Sequence, residues 1–366
     1  MIRIDEIYNN TFWPWIRDNR TGMRMFFCDP PGVTTPDALY NFGWDDIPET
    51  NYVFFHDQEP AYADLYEPLF LEVKEKAYDI ALNFTRDDIP GHIIVSEKGE
   101  YVDELCRIYR WKPHYYFYHG WACQDWFRGY DKTFLIPRAA DRNPTRTFMS
   151  PNRIVAGKRD HRVLFLYNVF KQQLESNWIT APRICPEENV DISEIAKKYN
   201  NIYPDIEQVF RDAELPRLFA GEETQKMTSC WLTNFDEARD SLIYVPTETV
   251  YFGRRLHITE KTFKAIALEM PFALVAPAGS LEYLREYGFK TFASVFDESY
   301  DEETDDFVRI EKVAKLLKDL DNLSVKERQE IHRACLPIVE HNYNHFYYGG
   351  LTDILWPELM NMLNGL

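Results

Sequence analysis

The feature that most narrows what this chain can fold into is an alternation. Short β-rich runs at 23–27, 52–55, 92–95, 115–118 and 133–136 are separated by stretches of helical apolar spacing, among them 61–76 and 101–109. Pro68 kinks or splits the first of those helices. A polar segment with two prolines, 137–145, then reads as a linker. Beyond it the alternation restarts, with strands at 147–150, 242–245, 272–276 and 291–295. Helices are expected between and after them at 159–173, 206–214, 259–269 and 280–287, followed by two amphipathic ones at 305–320 and 325–342. Strands alternating with helices imply a parallel sheet covered on both faces. The expectation is therefore α/β, with two Rossmann-like domains facing across a cleft at 1–140 and 141–340. An aromatic helical tail, 341–366, is expected to cross back onto the first domain. In open parallel sheets ligands sit beyond the carboxyl ends of the strands, so function belongs in the loops that follow them.

Composition trims the possibilities. A chain of 366 residues suits two domains. Its 41 basic against 59 acidic residues give a net charge of −18, which disfavours a phosphate-tracking surface but leaves room for a local basic cleft. No apolar run approaches the roughly 20 residues of a membrane span. The opening MIRIDEIYNN lacks the charged-then-apolar pattern of a signal peptide, so the cytoplasm is the expected location. Cys28, Cys106, Cys123, Cys185, Cys230 and Cys335 contain no C-x-x-C pair, which argues against a zinc ribbon or a dithiol redox site. With 23 Tyr, 25 Phe and 9 Trp the chain can fill a core and still offer rings to sugars or bases.

The stretch richest in chemistry is 242–277. A strand delivers Glu248 to a loop holding Gly253, Arg254, Arg255 and His257. Thr259 then sits at the N-cap position of a helix that begins Glu260-Lys261 and carries an apolar stripe of Phe263, Ile266, Ala267 and Met270. A helix N-terminus presents unpaired N–H groups and partial positive charge, which suits phosphate. Lys261 and the arginines add charge for a diphosphate, and Glu260 could accept from the vicinal hydroxyls of a ribose. Phosphate donors beside a ribose-reading acid describe a nucleotide-sugar site.

Glu248 and the block His257-Ile258-Thr259-Glu260-Lys261, with the helix and strand running on to Pro277, resemble the nucleotide-sugar signature of the α1,3-fucosyltransferase family. Thr259, Glu260 and Lys261 match its Thr-Glu-Lys and Glu248 matches its earlier Glu. Thr249 and Val250 stand where the family has Asn and Ser, and the spacing is two residues longer. The run 281–301 is also similar to uncharacterised glycosyltransferase-like proteins of large bacteriophages. The resemblance implies a GT-B type glycosyltransferase that moves a sugar from a UDP- or GDP-linked donor to an acceptor hydroxyl, inverting and without a metal. The acceptor it implies is a glycan or, for a phage-encoded enzyme, a hydroxymethylated DNA base. By matching position it makes Ser150, Asn152 and Arg162 donor-binding residues. Arg153 joins them from its place at a strand end.

The first half supplies the other wall. The strand at 52–55 ends in His56-Asp57-Gln58-Glu59-Pro60, and polar groups at such ends are where catalytic residues sit. The resemblance assigns Glu59 as general base beside Asp57. An alternative is that Asp57 and Glu59 hold a divalent metal on the donor. His119 is the second candidate base, and Glu97 and Trp121, also after strands, suit acceptor binding. His341 and His345 stand at i and i+4 without the intervening Glu of a metalloprotease helix and read as surface residues. Two further classes stay open: a glycoside hydrolase using Glu59 and Glu97, and a carbohydrate- or nucleotide-binding protein without catalysis.

Overall fold

The computed structural model describes residues 3–12, 14–15, 18, 24–27, 52–56, 60–61, 91–132, 136–186, 188–219 and 230–366. The chain divides into two compact units, Met1–Asp125 with Thr352–Leu366, and Trp126–Leu351. Both are mixed α/β with small parallel sheets. The helix expected at 61–76 and the strand expected at 133–136 fall mostly outside the described residues.

In the first unit the strands Arg24–Phe27, Tyr52–His56, Gly91–Val95 and Trp111–Tyr115 form one parallel sheet in chain order. Near-continuous apolar runs mark strands covered on both faces, and Ile93, Ile94 and Val95 are accordingly buried. Pro113, paired with Ile93, lies on the last strand in that order, where a missing N–H is tolerated. The helix Glu100–Tyr109 links the last two strands and ends on Arg110 in the left-handed conformation. The strand expected at 115–118 is displaced: pairing with Gly91–Val95 places it at Trp111–Tyr115, and the aromatic run continues into the helix Tyr118–Trp126. That helix is buried from Tyr118 to Asp125, and residues of Gly350–Gly365 help to cover it, with Trp121 edge-on to Trp356 at 4.8 Å.

The second unit carries the sheet that matters for the site. Trp178–Ile179, Arg146–Ser150 and Ser241–Tyr244 run parallel in that order. Parallel bridges at Tyr244–Phe272 and Thr247–Val275 add the segment 272–275 beside the last of them. In chain order the sheet therefore reads second, first, third, fourth. The order reverses between Arg146–Ser150 and Ser241–Tyr244, and such a switch point opens a crevice at the strands' carboxyl ends. The helix His161–Lys171, buried from His161 to Phe170, joins the first strand to the second. The helix Glu260–Ala267 joins the third to the fourth.

Three expectations differ from this unit. Residues 291–295 form a turn, with Val295 and Phe296 N–H donating to the Phe292 carbonyl, and pair with no described strand. The segment 137–145 is a clasp inside the second unit and not a linker between units: Ala139 N–H donates to Glu269, His332 to the Ala139 carbonyl, and Arg138 pairs with Glu269. The unit boundary accordingly falls before it, at 125/126, and not at 140. His341 and His345 are half-buried on the helix Val325–Tyr347, and each Nε2 reaches a carbonyl at the end of the helix Ser280–Glu286, those of Gly288 and Tyr287, at 3.0 and 2.6 Å. They satisfy carbonyls that a helix end leaves unpaired, and are not surface residues.

Candidate functional site at the switch point

At the switch point the ends of two strands are stitched together. Ser150 Oγ donates to the Val245 carbonyl at 2.9 Å. Asn152 donates through Nδ2 to Ser150 and accepts through Oδ1 from Thr247 Oγ1 at 2.9 Å. Asn152 N–H reaches Thr180 Oγ1 at 2.6 Å, tying in the neighbouring strand. Ser150 and Asn152 are fully buried. Their polar atoms are used within the fold.

Arg162, in the first turn of the His161 helix, is 4% exposed. It donates to the carbonyls of Ile154, Thr247 and Glu248 at 2.8, 2.9 and 3.3 Å. Burial, then the neighbouring Arg159, lowers its pKa to about 10, which leaves it charged at neutral pH. His161 Nε2 lies 3.0 Å from the same Glu248 carbonyl oxygen. An oxygen that only accepts fixes the hydrogen on Nε2 and leaves Nδ1 bare. Burial, with Arg162 close by, holds this imidazole well below the usual histidine range, so it is neutral. Its ring stacks on Tyr251 at 5.0 Å. Arg153 is half-buried in the loop between strand and helix.

Glu248 contradicts the expectation of a ligand-facing acid most directly. It is completely buried, and its carboxylate points into the start of the Glu260 helix. Oε1 accepts from Thr259 N–H at 3.2 Å and Thr262 Oγ1 at 2.6 Å, while Oε2 accepts from Thr259 Oγ1 at 2.5 Å. Thr259 is the N-cap residue, but its own side chain accepts no capping bond. The cap is supplied instead by a residue eleven positions earlier, in the segment that follows the Ser241–Tyr244 strand. Lys261 Nζ donates to Thr249 Oγ1, Thr259 Oγ1 and Glu260 Oε1 at 3.1, 3.1 and 3.0 Å. The Lys261 and Glu260 side chains keep 25% and 12% of their surface, so both are reachable.

Seven of the expected donor residues thus gather at one switch point: Ser150, Asn152, Arg162, Glu248, Thr259, Glu260 and Lys261. Sequence reasoning missed His161, Thr247 and Thr262, which complete the network. His161 adjoins Arg162, and Thr262 follows Thr259 at the spacing of one helical turn. The eighth, Arg153, lies in the same unit on the loop after Arg146–Ser150, and the candidates for base and acceptor binding belong to the first unit. Asp57 and Glu59 lie outside the described residues. Glu97 is buried and accepts from Ala61 N–H at 2.9 Å. His119 is buried in the first turn of the Tyr118 helix and not at a strand end. Trp121 is 2% exposed and packed on Trp356, which leaves its ring to the core. Among the described residues no group of three or more His, Cys, Asp or Glu side chains is placed to hold a metal ion.

Comparison with known protein families, with curated proteins and with solved structures finds no match to this chain.

Proposed function

We propose that this chain is a glycosyltransferase of the two-Rossmann type, transferring a sugar from a nucleoside-diphosphate donor to a hydroxyl of a glycan. One observation carries the reading: the N-terminus of the Glu260 helix carries the reachable Lys261 ammonium and Glu260 carboxylate, and the charged Arg162 guanidinium is held on the Thr247 and Glu248 carbonyls of the same switch point. A diphosphate leaving group gains negative charge as the glycosidic bond breaks, and fixed positive groups stabilise that charge without reorganising. Lys261 and the first-turn N–H groups take this role, and Glu260 accepts from the donor's ribose. Arg162 supplies positive potential from behind the loop, since its nitrogens donate to backbone carbonyls. In an inverting transfer the sugar passes through an oxocarbenium-like state while a base removes the acceptor proton, and Glu59 is the base of this proposal.

The test is a thermal-shift series with UDP, GDP, CMP and ADP, each with EDTA and with manganese. One nucleoside diphosphate should raise Tm in EDTA. Lys261→Ala should weaken that nucleotide about tenfold, the cost of one charge-assisted contact. Glu59→Ala should bind normally and fail to transfer. If no nucleotide shifts Tm, the donor-site reading is lost. A shift that needs manganese would favour the metal-holding alternative at Asp57 and Glu59. An acceptor screen that succeeds only with hydroxymethylated DNA would move the acceptor from glycan to base.

A further inference from the structure

We infer that Glu248 is a positioning residue, the centre of a buried strut that sets Lys261 for an anionic ligand it does not itself touch. The inference rests on the donor-site reading above and changes what one of its residues does. Glu248 has no exposed surface, and three donors from the Glu260 helix converge on its carboxylate. Its carbonyl is held separately by His161 and Arg162 at the start of another helix. One residue therefore ties two helix N-termini to the end of the strand between them.

The strut reaches the ligand face through a directed chain. Lys261 Nζ donates to Thr259 Oγ1, and Thr259 Oγ1 donates to Glu248 Oε2. With its hydrogen committed to the carboxylate, the Thr259 hydroxyl offers its lone pairs to the ammonium. Thr262 Oγ1 donates to Oε1 and fixes the carboxylate's rotation from within the core, where Thr262 is 0% exposed. A ligand-binding glutamate and a strut glutamate differ in what they discriminate. The first reads the nucleoside and is indifferent to bare diphosphate, whereas the second governs the cation and affects both equally.

The experiment measures Kd for the nucleoside diphosphate and for inorganic diphosphate, well below Tm, in wild type, Thr262→Val, Thr262→Ser and Glu248→Gln. Thr262 cannot reach a ligand, so its hydroxyl acts only through Glu248. Thr262→Val should raise both Kd values about tenfold, and Thr262→Ser should restore them to within about twofold. Glu248→Gln places an amide donor against Thr259 Oγ1 in competition with Lys261 and should weaken both ligands alike. Should Thr262→Val fail to fold, the Glu248→Gln ratio decides. Loss of the nucleoside diphosphate with bare diphosphate spared would make Glu248 a ligand after all. A lower Tm with unchanged Kd would reduce it to a helix cap. Either result overturns the inference while the donor site stands. If wild type binds neither ligand, the donor-site reading itself has failed and takes the strut with it.

Discussion

The first unit contains a titratable pair independent of the switch point. His92 Nδ1 and His114 Nε2 approach to 2.7 Å on adjacent strands, with the rings stacked at 4.9 Å. One hydrogen between two imidazole nitrogens requires at least one ring to be neutral. Burial, then His92 and Lys112, lowers the His114 pKa to about 4. Its unfolded value of about 6.5 lies above that, so the unfolded chain takes up a proton that the folded chain refuses. This contribution to stability is present above pH 6.5 and is lost as pH falls toward 4. Urea unfolding at pH 7 and pH 4.5 should show wild type losing more stability than His114→Gln. Equal losses would remove His114 from the account. By contrast, burial pushes the Cys106 and Cys335 thiols up to about 12, which keeps them protonated and unreactive at neutral pH.

Among the elements, the two histidines of the Val325 helix show how a local pattern hides a tertiary role. Their spacing places them on one face of a helix, and their rings lie parallel at 5.8 Å. What they face, the open carbonyl end of another helix, is set by packing. Gly350 is part of the same arrangement, because a Cβ there would stand 2.2 Å from His345 Nδ1. The ring cannot swing aside cheaply, since it also packs edge-on to Phe289 at 4.9 Å and holds the Tyr287 carbonyl. Gly350→Ala should therefore lower Tm by several degrees, on the order of 2 kcal/mol for a displaced ring and a lost, partly buried hydrogen bond. A variant that melts with wild type would show that the loop after the helix yields freely.

For the whole molecule, the decisive fact is that the first unit is built from both ends of the chain. Leu351, Leu355, Leu359 and Leu363 form an i, i+4 stripe, and all are buried. Ending the chain at Leu351 removes Leu355, Leu359 and Leu363, worth roughly 2 kcal/mol each in burial, and uncovers Trp121. The truncated chain should show red-shifted tryptophan fluorescence and earlier melting of the first unit. An unshifted spectrum would mean that Trp121 is buried without the returning helix.

The sequence by itself determined what depends on near neighbours. Apolar runs and helical spacing located the described strands of the two parallel sheets to within four residues, except the two-residue Trp178–Ile179, because burial on both faces leaves a local mark that so short a strand does not carry. Thr259-Glu260-Lys261 was legible as a helix start for the same reason. The aromatic run at 115–118 and the β-rich 291–295 were misread because propensity is local while strand pairing is not: one was displaced by register, and the other meets no described strand. Only the tertiary structure decided the direction of Glu248. Whether a carboxylate at a strand end faces a ligand or a helix depends on where residues eleven and fourteen positions later come to rest. A buried carboxylate must be hydrogen-bonded, and its partners are chosen by the packing of the Glu260 helix on the sheet, which no spacing in the sequence records.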